Sequence, residues 1–271
     1  MPELPEVETI VRDLARLLPG AVIREVEVVH PDLVEGEDAE SFARALRGAR
    51  VERVTRRAKN ILVHLAGGLL RVNLGMTGRL LVRDPDTPPP THPGVRFRLE
   101  DGRELAYHDT RRFGRLMRHT RKDYEAWESE LGLEPLSDEF TAGHLHDLAR
   151  RSRVAVKSWI MDQRRVVGVG NIYASEALFR AGIDPRRPAS SLSPGEAARL
   201  RDEVRAVLQE AIDFRGTTFL DYRDARGERG GFVDRLRVYD REGLACTACG
   251  EPVQRIVQGG RSTFFCARCQ Q

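Results

Sequence analysis

The chain lacks the long apolar runs and the scattered cysteines that mark two broad classes of protein. None of its 271 residues belongs to an apolar run of roughly 18 or more, so the sequence predicts no transmembrane helix. Its start has no basic segment followed by an apolar one, so a secretory signal is not expected. All four cysteines lie between residues 246 and 269, which argues against a distributed disulfide framework and favours a cytosolic protein.

Lysine is also scarce. Of the 44 basic residues only Lys59, Lys122 and Lys157 are lysines, and the rest are arginines. The net charge of +3 is mild and does not by itself imply a nucleic-acid partner. Coding bias explains an excess of arginine. Against that background, each remaining lysine raises the question of whether a compact ammonium is required at its position.

The first six residues, Met-Pro-Glu-Leu-Pro-Glu, carry the most reactive group that the sequence offers. Removal of Met1 leaves Pro2 with a free secondary amine, and an α-amino group titrates near ~8, so part of it is nucleophilic at neutral pH. Attack on an aldehyde-like carbon gives a cationic iminium, which withdraws electrons strongly. Glu3 and Glu6 follow closely as candidate proton donor and orienting group. The alternative is an ordinary lead-in to a helix, where Pro and Glu are favoured.

Apolar spacing divides the chain into regions of different structure. Residues 6–18 have helical period and end at Pro19-Gly20. From residue 21 to 108 the period is two, with a short helix expected at 38–46, so this region predicts a β-sandwich with flanking helices. The expected strands are 22–29, 49–55, 60–65, 69–74, 79–82, 95–99 and 104–107, with a proline-rich surface loop at 85–93.

Three loops of this region have unusual composition. Residues 56–59 form a basic turn that ends in Lys59, which a solvated turn also explains. Met76 is flanked by Gly75 and Gly78 at a loop tip, where a core methionine is not expected. Residues 108–114 combine two arginines with Phe113, a composition suited to wedging into a base stack, although a surface cation–π turn has the same composition.

After a linker at 131–139 the period returns to 3.6. Helices are expected at 142–150, 154–161, 173–181 and 194–214, the last with Ser193 as N-cap and Glu196 three residues later. A glycine-bearing turn at 166–173 places Asn171 at a helix start, a natural seat for a phosphate, and the absence of a phosphate-loop lysine argues against nucleotide binding. Residues 214–231 read as a long functional loop.

The tail contains the most specific local motif. Cys246-x-x-Cys249 is followed after sixteen residues by Cys266-x-x-Cys269, the spacing of a four-cysteine zinc ribbon. The metal is expected to be structural, because four thiolates leave no open position for water. Two disulfides are the alternative, and they conflict with a cytosolic setting. Segments 254–257 and 262–265 flank two glycines and predict a β-hairpin with Arg261 at its turn.

Together these motifs resemble the formamidopyrimidine-DNA glycosylase family over the whole length of the chain. The match is carried by Pro-Glu-Leu-Pro-Glu-Val-Glu-Thr at 2–9, Arg-Ala-Lys at 57–59, Leu-Gly-Met at 74–76, Arg-Arg-Phe-Gly at 111–114, Val-Gly-Val-Gly-Asn-Ile-Tyr-Ala-Ser at 167–175, and Gly-Arg-Ser-Thr at 260–263 with the cysteine pairs. The resemblance implies an α+β protein of three parts. These are an N-terminal catalytic β-sandwich domain (1–130), a helix-two-turn-helix DNA-binding domain (131–236) and a zinc-bearing β-hairpin (237–271).

The resemblance also implies an activity and a partner. The activity is excision of oxidised purines such as 8-oxoguanine and formamidopyrimidines from double-stranded DNA, followed by strand cleavage by β,δ-elimination. The partner is damaged duplex DNA, and the only cofactor is one structural Zn²⁺. A monomer in the cytoplasm, associated with the nucleoid, with no membrane and no obligate protein partner, is expected.

Residue roles follow from the matched motifs. The resemblance implies that Pro2 attacks C1′ of the damaged nucleotide, that Glu3 assists opening of the sugar ring, and that Glu6 orients the N-terminus. The phosphate contacts that it implies are Lys59 near the lesion, Asn171 and Arg261, with Lys157 at the mouth of the site. Met76, Arg111 and Phe113 match the residues that fill the gap left by the extruded base.

One position departs from the family pattern, and two other functions compete with this one. Many relatives have histidine where this chain has Asn73, and a neutral amide still donates to a phosphate. The first alternative is the endonuclease VIII-like branch, which acts on oxidised pyrimidines; the start of the chain and the Arg-Arg-Phe-Gly loop argue against it. The second is a non-catalytic zinc-containing DNA-binding protein, which leaves Pro2, Glu3 and Lys59 unexplained.

Overall fold

The chain folds into two compact units, seen in a computed structural model that describes residues 2–86, 92–218, 222–225 and 227–271. The first unit contains residues up to Ser129 together with Phe214–Gly231, and the second contains Glu130–Asp213 and Phe232–Gln271. Within the described ranges, every helix falls short of a bilayer span in length or in apolar content.

The first unit is a β-sandwich with helices at its edges, as the sequence predicted. Two antiparallel four-stranded sheets have the orders β1-β6-β7-β5 and β2-β3-β4-β8. The helices are α1 (Leu4–Leu17), α2 (Ala39–Leu46) and α3 (Arg121–Ser129). The strands are β1 (Ile23–Val28), β2 (Val51–Arg57), β3 (Asn60–Leu65), β4 (Gly68–Asn73), β5 (Arg79–Arg83), β6 (Pro93–Leu99), β7 (Glu104–His108) and β8 (Arg115–His119).

Alternation along the strands explains the sandwich core. On β6, Val95, Phe97 and Leu99 are buried, while the intervening Arg98 lies on the other face and bonds Glu25 of β1 at 2.8 Å. Helix α1 covers this core with an apolar stripe at helical spacing that includes Val7, Ile10 and Leu14. Burial of this stripe fixes the helix, and therefore the N-terminus that precedes it, against the sandwich.

Two elements of this unit were missed from sequence, β8 and α3. Strand β8 alternates only weakly, because Leu116 and Met117 are its only apolar residues. Helix α3 has no buried residue, so it lacks the apolar stripe from which a helix is predicted. It contacts the sandwich through Trp127, whose ring centre lies 4.4 Å from the Arg71 guanidinium. Of the proline-rich loop expected at 85–93, residues 87–91 lie outside the described residues, and Pro93 already belongs to β6.

The second unit is helical and ends in a hairpin, also as predicted. It contains α4 (Ala142–Ala149), α5 (Val156–Ile160), α6 (Asn171–Ala181) and α7 (Pro194–Asp213), followed by β9 (Gln254–Gln258) and β10 (Arg261–Phe265). The capping box of α7 is present, since Ser193 and Glu196 exchange hydrogen bonds at 2.8 and 3.3 Å. Helix α5 begins later than expected because Ala155 forms a bridge with Pro188 in extended conformation.

Residues 214–231 return to the first unit. Gly231 donates its N–H to the carbonyl of Phe214 at 2.9 Å, which closes the segment. Tyr222 and Ala225 are buried in the same core as α1 and the two sheets. Of the loop predicted here, residues 219–221 and 226 lie outside the described residues. The segment therefore completes the fold around α1.

Candidate functional site

The N-terminus of the first unit is a buried, acid-lined position. Pro2 is buried, and Glu3 and Glu6 are each 1% exposed. Glu3 is the N-cap of α1 and forms a capping box with Glu6, whose Oε2 accepts the backbone N–H of Glu3 at 2.8 Å. The helix lead-in is therefore confirmed, and its capping box consists of the two candidate carboxylates that follow Pro2 in the sequence.

The segment 214–231 holds Glu6 from a second side. Oε1 of Glu6 accepts the backbone N–H of Thr217 at 2.7 Å, and the Tyr222 hydroxyl donates to the Glu6 carbonyl at 3.3 Å. Gly216 has a positive φ, and a Cβ there would lie 2.9 Å from Oε1 of Glu6, so a glycine is required at this approach. The Glu6 carboxylate is thus fixed by two backbone donors.

Arg215 anchors the start of this segment to α1. Its guanidinium donates to the buried carboxylate of Asp13 at 2.6 Å and to that of Asp224. Burial acts to lower the pKa of Arg215, but the hydrogen bonds that its guanidinium donates to both carboxylates raise that pKa above its ordinary value. Arg215 has φ +60°, a left-handed conformation that is unfavourable for a side chain with a Cβ. The ion pairs stabilise this conformation.

Lys59 lies in the two-residue turn between β2 and β3, as the sequence placed it. The preceding arginines are not a solvated basic patch. Arg56 bonds Glu8 of α1 at 3.0 Å and the carbonyl of Ala58 at 2.9 Å, and Arg57 bonds Glu128 at 3.2 Å. These bonds tie the Lys59 turn to helix α1 and leave the lysine half-buried at its tip.

The three candidate wedge residues lie on two touching loops. Met76 belongs to residues 74–78, which we call the Met76 loop, and Arg111 and Phe113 belong to residues 109–114, the Phe113 loop. Met76 is 39% and Phe113 52% exposed, and the Arg111 guanidinium lies 4.6 Å from the centre of the Phe113 ring. A Cβ on Gly75 would lie 2.5 Å from the backbone N of Gly114, so the loops meet backbone to backbone.

Asn73 ends β4 and its side chain is engaged within the unit. Its Nδ2 donates to Oδ1 of Asn60 at 3.2 Å, and its Oδ1 accepts the N–H of Gly75 at 3.0 Å. The amide nitrogen carries two hydrogens, and the second one would be the donor in a contact with a phosphate. Asn73 therefore supports the start of the Met76 loop through the N–H of Gly75.

In the second unit, Lys157, Asn171 and Arg261 line one cavity of about 180 Å³. Lys157 is 2% exposed, and its ammonium donates to Oδ1 of Asn171 at 2.6 Å, to the Ser262 carbonyl at 2.9 Å and to the Thr263 hydroxyl at 2.8 Å. Because lysine has only donors, the Asn171 oxygen faces it and the amide NH₂ faces away. The structure brings together the three residues that the motifs singled out, with Lys157 buried behind Asn171.

The four cysteines form one cluster. Their sulfur atoms lie within 4.8 Å of one another, with Cys246 to Cys269 at 3.9 Å and Cys249 to Cys266 at 3.5 Å. Tetrahedral Zn²⁺ with bonds of about 2.3 Å separates its sulfurs by about 3.8 Å. Burial raises the pKa of Cys246, but backbone N–H donors from Ala248 and Cys249 outweigh it and lower that pKa to about 7. The cluster fits one structural Zn²⁺.

Among the buried carboxylates that the sequence analysis did not single out, two hold loops or segments in place. Glu176 of α6 is fully buried and accepts the backbone N–H groups of Arg237, Val238 and Tyr239, each at 2.9 Å. It ties α6 to the segment that leads to the zinc hairpin. The other, Asp109, lies within the Phe113 loop. Its motif was singled out for its cations and its aromatic ring, and a buried acid beside them is the signal that was overlooked.

Comparisons with known proteins cover nearly all of the chain. Three protein-family models match the chain. The formamidopyrimidine-DNA glycosylase N-terminal domain matches residues 1–116, and the formamidopyrimidine-DNA glycosylase H2TH domain matches residues 131–222. The zinc finger found in FPG and IleRS matches residues 243–271. The formamidopyrimidine-DNA glycosylase of Laribacter hongkongensis is 48% identical over 274 residues, with both chains fully covered.

Solved structures show the same similarity. The MutM (Fpg) protein from Thermus thermophilus superposes with a TM-score of 0.89 at 43% identity, over 99% of this chain and 98% of that one. A complex between the Lactococcus lactis Fpg and an abasic site containing DNA superposes with a TM-score of 0.92 at 30% identity, over 99% of both chains.

Proposed function

Because the chain belongs to the formamidopyrimidine-DNA glycosylase family, we propose that it excises oxidised purines from double-stranded DNA and cuts the strand at the resulting abasic site. The observation that carries the proposal is the buried Pro2, which directly precedes the N-cap Glu3 of α1, where the buried carboxylates of Glu3 and Glu6 form a capping box. A secondary amine beside a proton donor is the arrangement that iminium chemistry on a sugar requires.

The chemistry begins with extrusion of the damaged nucleotide, which costs less for a lesion than for a normal pair. The Pro2 nitrogen then bonds C1′ as the glycosidic bond breaks, and the base leaves with the electron pair of that bond and takes up the proton that the Pro2 nitrogen loses. Glu3 donates a proton to the ring oxygen as the sugar opens, which leaves a cationic iminium between Pro2 and C1′. Glu6, held by the N–H groups of Glu3 and Thr217, keeps the N-terminus in place.

Strand cleavage follows from the charge of the iminium. The cation acidifies the C2′ protons, so loss of one proton expels the 3′ phosphate, and a second elimination expels the 5′ phosphate. Hydrolysis of the remaining imine releases Pro2. Each of these steps moves protons and electron pairs. The Zn²⁺ held by the four cysteines has a structural role, which is to stabilise the fold of the hairpin. We propose that Lys59, Asn171 and Arg261 bind DNA phosphates. Met76, Arg111 and Phe113 fill the gap that the extruded nucleotide leaves in the duplex.

The division of the chain into 1–130, 131–236 and 237–271 stays a prediction, as does a cytoplasmic, nucleoid-associated location. The location is proposed because the substrate is DNA. The endonuclease VIII-like alternative shares the chemistry and differs in the base, so the same experiment separates the two.

Borohydride trapping tests the proposal. The chain is incubated with a duplex carrying one 8-oxoguanine opposite cytosine, reduced, digested and mapped by mass spectrometry. We expect a covalent adduct on Pro2. A matched chain with one uncleaved residue before Pro2 has a tertiary amide there and should give no adduct. An adduct only with an oxidised pyrimidine favours the alternative branch, and tight binding without any adduct contradicts the proposed enzyme.

A further inference from the structure

Asp109 is a buried carboxylate to which the proposed chemistry assigns no role. It opens the Phe113 loop directly after β7 and is 3% exposed. An ionised carboxylate is costly to bury unless hydrogen bonds replace its water. Its position between two exposed loops, rather than in the sandwich core, calls for a functional explanation.

Four neutral donors surround this carboxylate. Oδ1 accepts a hydrogen bond from the Thr77 hydroxyl and a second one, at 3.2 Å, from the backbone N–H of Arg111. Oδ2 accepts the backbone N–H of Gly114 at 2.8 Å and the Tyr107 hydroxyl at 3.3 Å. Four donors match the four lone-pair sites of a carboxylate. Burial and the adjacent Asp109 raise the pKa of Tyr107, so its phenol stays a donor.

These donors come from both loops. Thr77 follows Met76 in the Met76 loop, while Arg111 and Gly114 bracket Phe113 in the Phe113 loop. The Thr77 hydroxyl also accepts the Arg111 N–H at 3.2 Å, and Gly75 lies against Gly114. One carboxylate is therefore the common acceptor of two loops whose outer side chains, Met76 and Phe113, are exposed.

We propose that Asp109 is a positioning residue that holds the Met76 and Phe113 loops together as one rigid wedge for duplex DNA. The inference rests on the proposed function, in which these loops fill the gap left by the extruded nucleotide. Unstacking a base step costs a few kcal/mol, and a wedge whose loops are already ordered loses less entropy when it enters the stack. Asp109 acts through the loops and has no contact with the reacting atoms.

Asp109→Asn tests this inference, because an amide keeps the shape of the side chain but cannot accept hydrogen bonds at both of its terminal atoms. Two substrates are compared, 8-oxoguanine in a duplex and an abasic site in single-stranded DNA, which has no stack to enter. We expect the single-turnover excision rate on the duplex to fall about 10- to 100-fold, an effect of a few kcal/mol at most. Trapping on the single strand should stay within about twofold of the unmodified chain.

A direct readout accompanies the rates. With 2-aminopurine placed opposite a stable abasic analogue, filling of the gap changes the fluorescence of the probe, and Asp109→Asn should reduce that change. Asp101→Asn is the matched control, since it removes a carboxylate from an exposed turn of the same unit and should leave both readouts unchanged. Thr77→Val breaks the link between the loops more gently and should show the same substrate split if Asp109→Asn fails to fold.

The outcomes are distinct. Equal losses on duplex and single strand indicate a general structural role and overturn the inference, as does an unchanged duplex rate in both variants. If the unmodified chain itself acts on neither substrate, the proposed function fails, and the inference that rests on it is overturned with it.

Discussion

At the scale of single residues, Lys157 shows how a buried cation orients a binding group. The family resemblance implied a lysine at the mouth of the site, and the structure buries its ammonium among Asn171, Ser262 and Thr263. The ammonium sets which atom of the Asn171 amide faces outward. Its effect on DNA is therefore expected to pass through Asn171 and the hairpin.

Lys157→Met separates this positioning role from a direct phosphate contact. Three acceptors lose their donor at about 1–3 kcal/mol each for buried groups, so DNA affinity should fall at least tenfold. The slope of log K against log salt should not change, because the contact that is disturbed belongs to the neutral Asn171 and no cation is removed from a phosphate. Arg261→Ala is the comparison and should reduce that slope by about 1. Anisotropy titrations at several salt concentrations measure both, and a reduced slope for Lys157→Met contradicts the positioning role.

His108, beside Asp109, makes stability depend on pH. Burial, with smaller effects from Arg79 and Arg83, lowers the pKa of His108 to about 4 from an ordinary value of 6.5. The folded state thus resists protonation, and stability that is complete above pH 6.5 is lost as the pH falls toward 4.

Replacement by asparagine removes this titration. Relative to the unmodified chain, His108→Asn should gain about 1 kcal/mol of unfolding free energy between pH 7 and 4.5, after allowance for partial solvent screening. Urea unfolding at the two pH values measures it. An identical difference between the two proteins at both values would show that His108 does not titrate there.

Residue placement was predictable where a motif carried it and not where the partner was distant backbone. Pro2, Asn171, Arg261 and the cysteines stand in contiguous motifs, and the structure groups them as expected within each unit. The bonds of Glu176 run to N–H groups 61 to 63 residues away, and backbone donors carry no sequence signal. The burial of Lys157 was not predicted from the sequence for the same reason.

At the scale of elements, the described residues of segment 214–231 pack against α1, and Arg215 anchors the segment to that helix. The left-handed backbone at Arg215 and its ion pairs make opposite contributions, which two substitutions separate. Arg215→Ala keeps the unfavourable backbone and loses the guanidinium, so the unfolding free energy should fall by about 2 kcal/mol, less than for a fully buried pair because this side chain is 39% exposed.

Arg215→Gly loses the same ion pairs but relieves the backbone. It should be about 0.5–1 kcal/mol more stable than Arg215→Ala, because relief of left-handed strain exceeds the entropy that glycine gains in the unfolded chain. Chemical denaturation of the two variants measures the difference. An alanine variant as stable as the glycine variant would mean that the backbone at this position carries no strain.

Strong periodicity made most elements predictable, and weak periodicity explains the exceptions. Strand β3 has the predicted bounds because nearly every residue of Asn60–Leu65 is buried. Strand β8 and helix α3 depend on contacts with Arg71 and other distant side chains, which local spacing does not encode. The hairpin β9–β10 followed from its own pattern, two short segments that flank Gly259 and Gly260.

The zinc hairpin is expected to depend on its metal. Cys266→Ser removes one ligand, so bound zinc, measured by atomic emission, should fall from one ion per chain to near zero. The hairpin also supplies two acceptors for Lys157, so DNA affinity should fall at least tenfold. Ser262→Ala, which keeps the carbonyl that Lys157 uses, is the control. Undiminished zinc content in the Cys266 variant contradicts the four-thiolate site.

At the scale of the whole molecule, charge is local rather than global. The net charge is only +3, so long-range attraction to DNA is weak and affinity must come from the proposed contacts. Of the proposed phosphate contacts, Lys59 and Arg261 are charged, which predicts a slope of about −2 for log K against log salt. Titrations of duplex DNA from low to physiological salt measure it. A slope near zero would mean that phosphates are not contacted.

The bond between Glu6 and Thr217 also has a consequence for biosynthesis. The two residues are 211 positions apart, so a ribosome has made most of the chain before the partner of Glu6 exists. At about 5–20 residues per second this delay is about 10–40 s. Pro2 and Glu6 are therefore synthesised well before the segment that holds Glu6, and a prematurely terminated fragment would carry Pro2 without the segment that fixes Glu6.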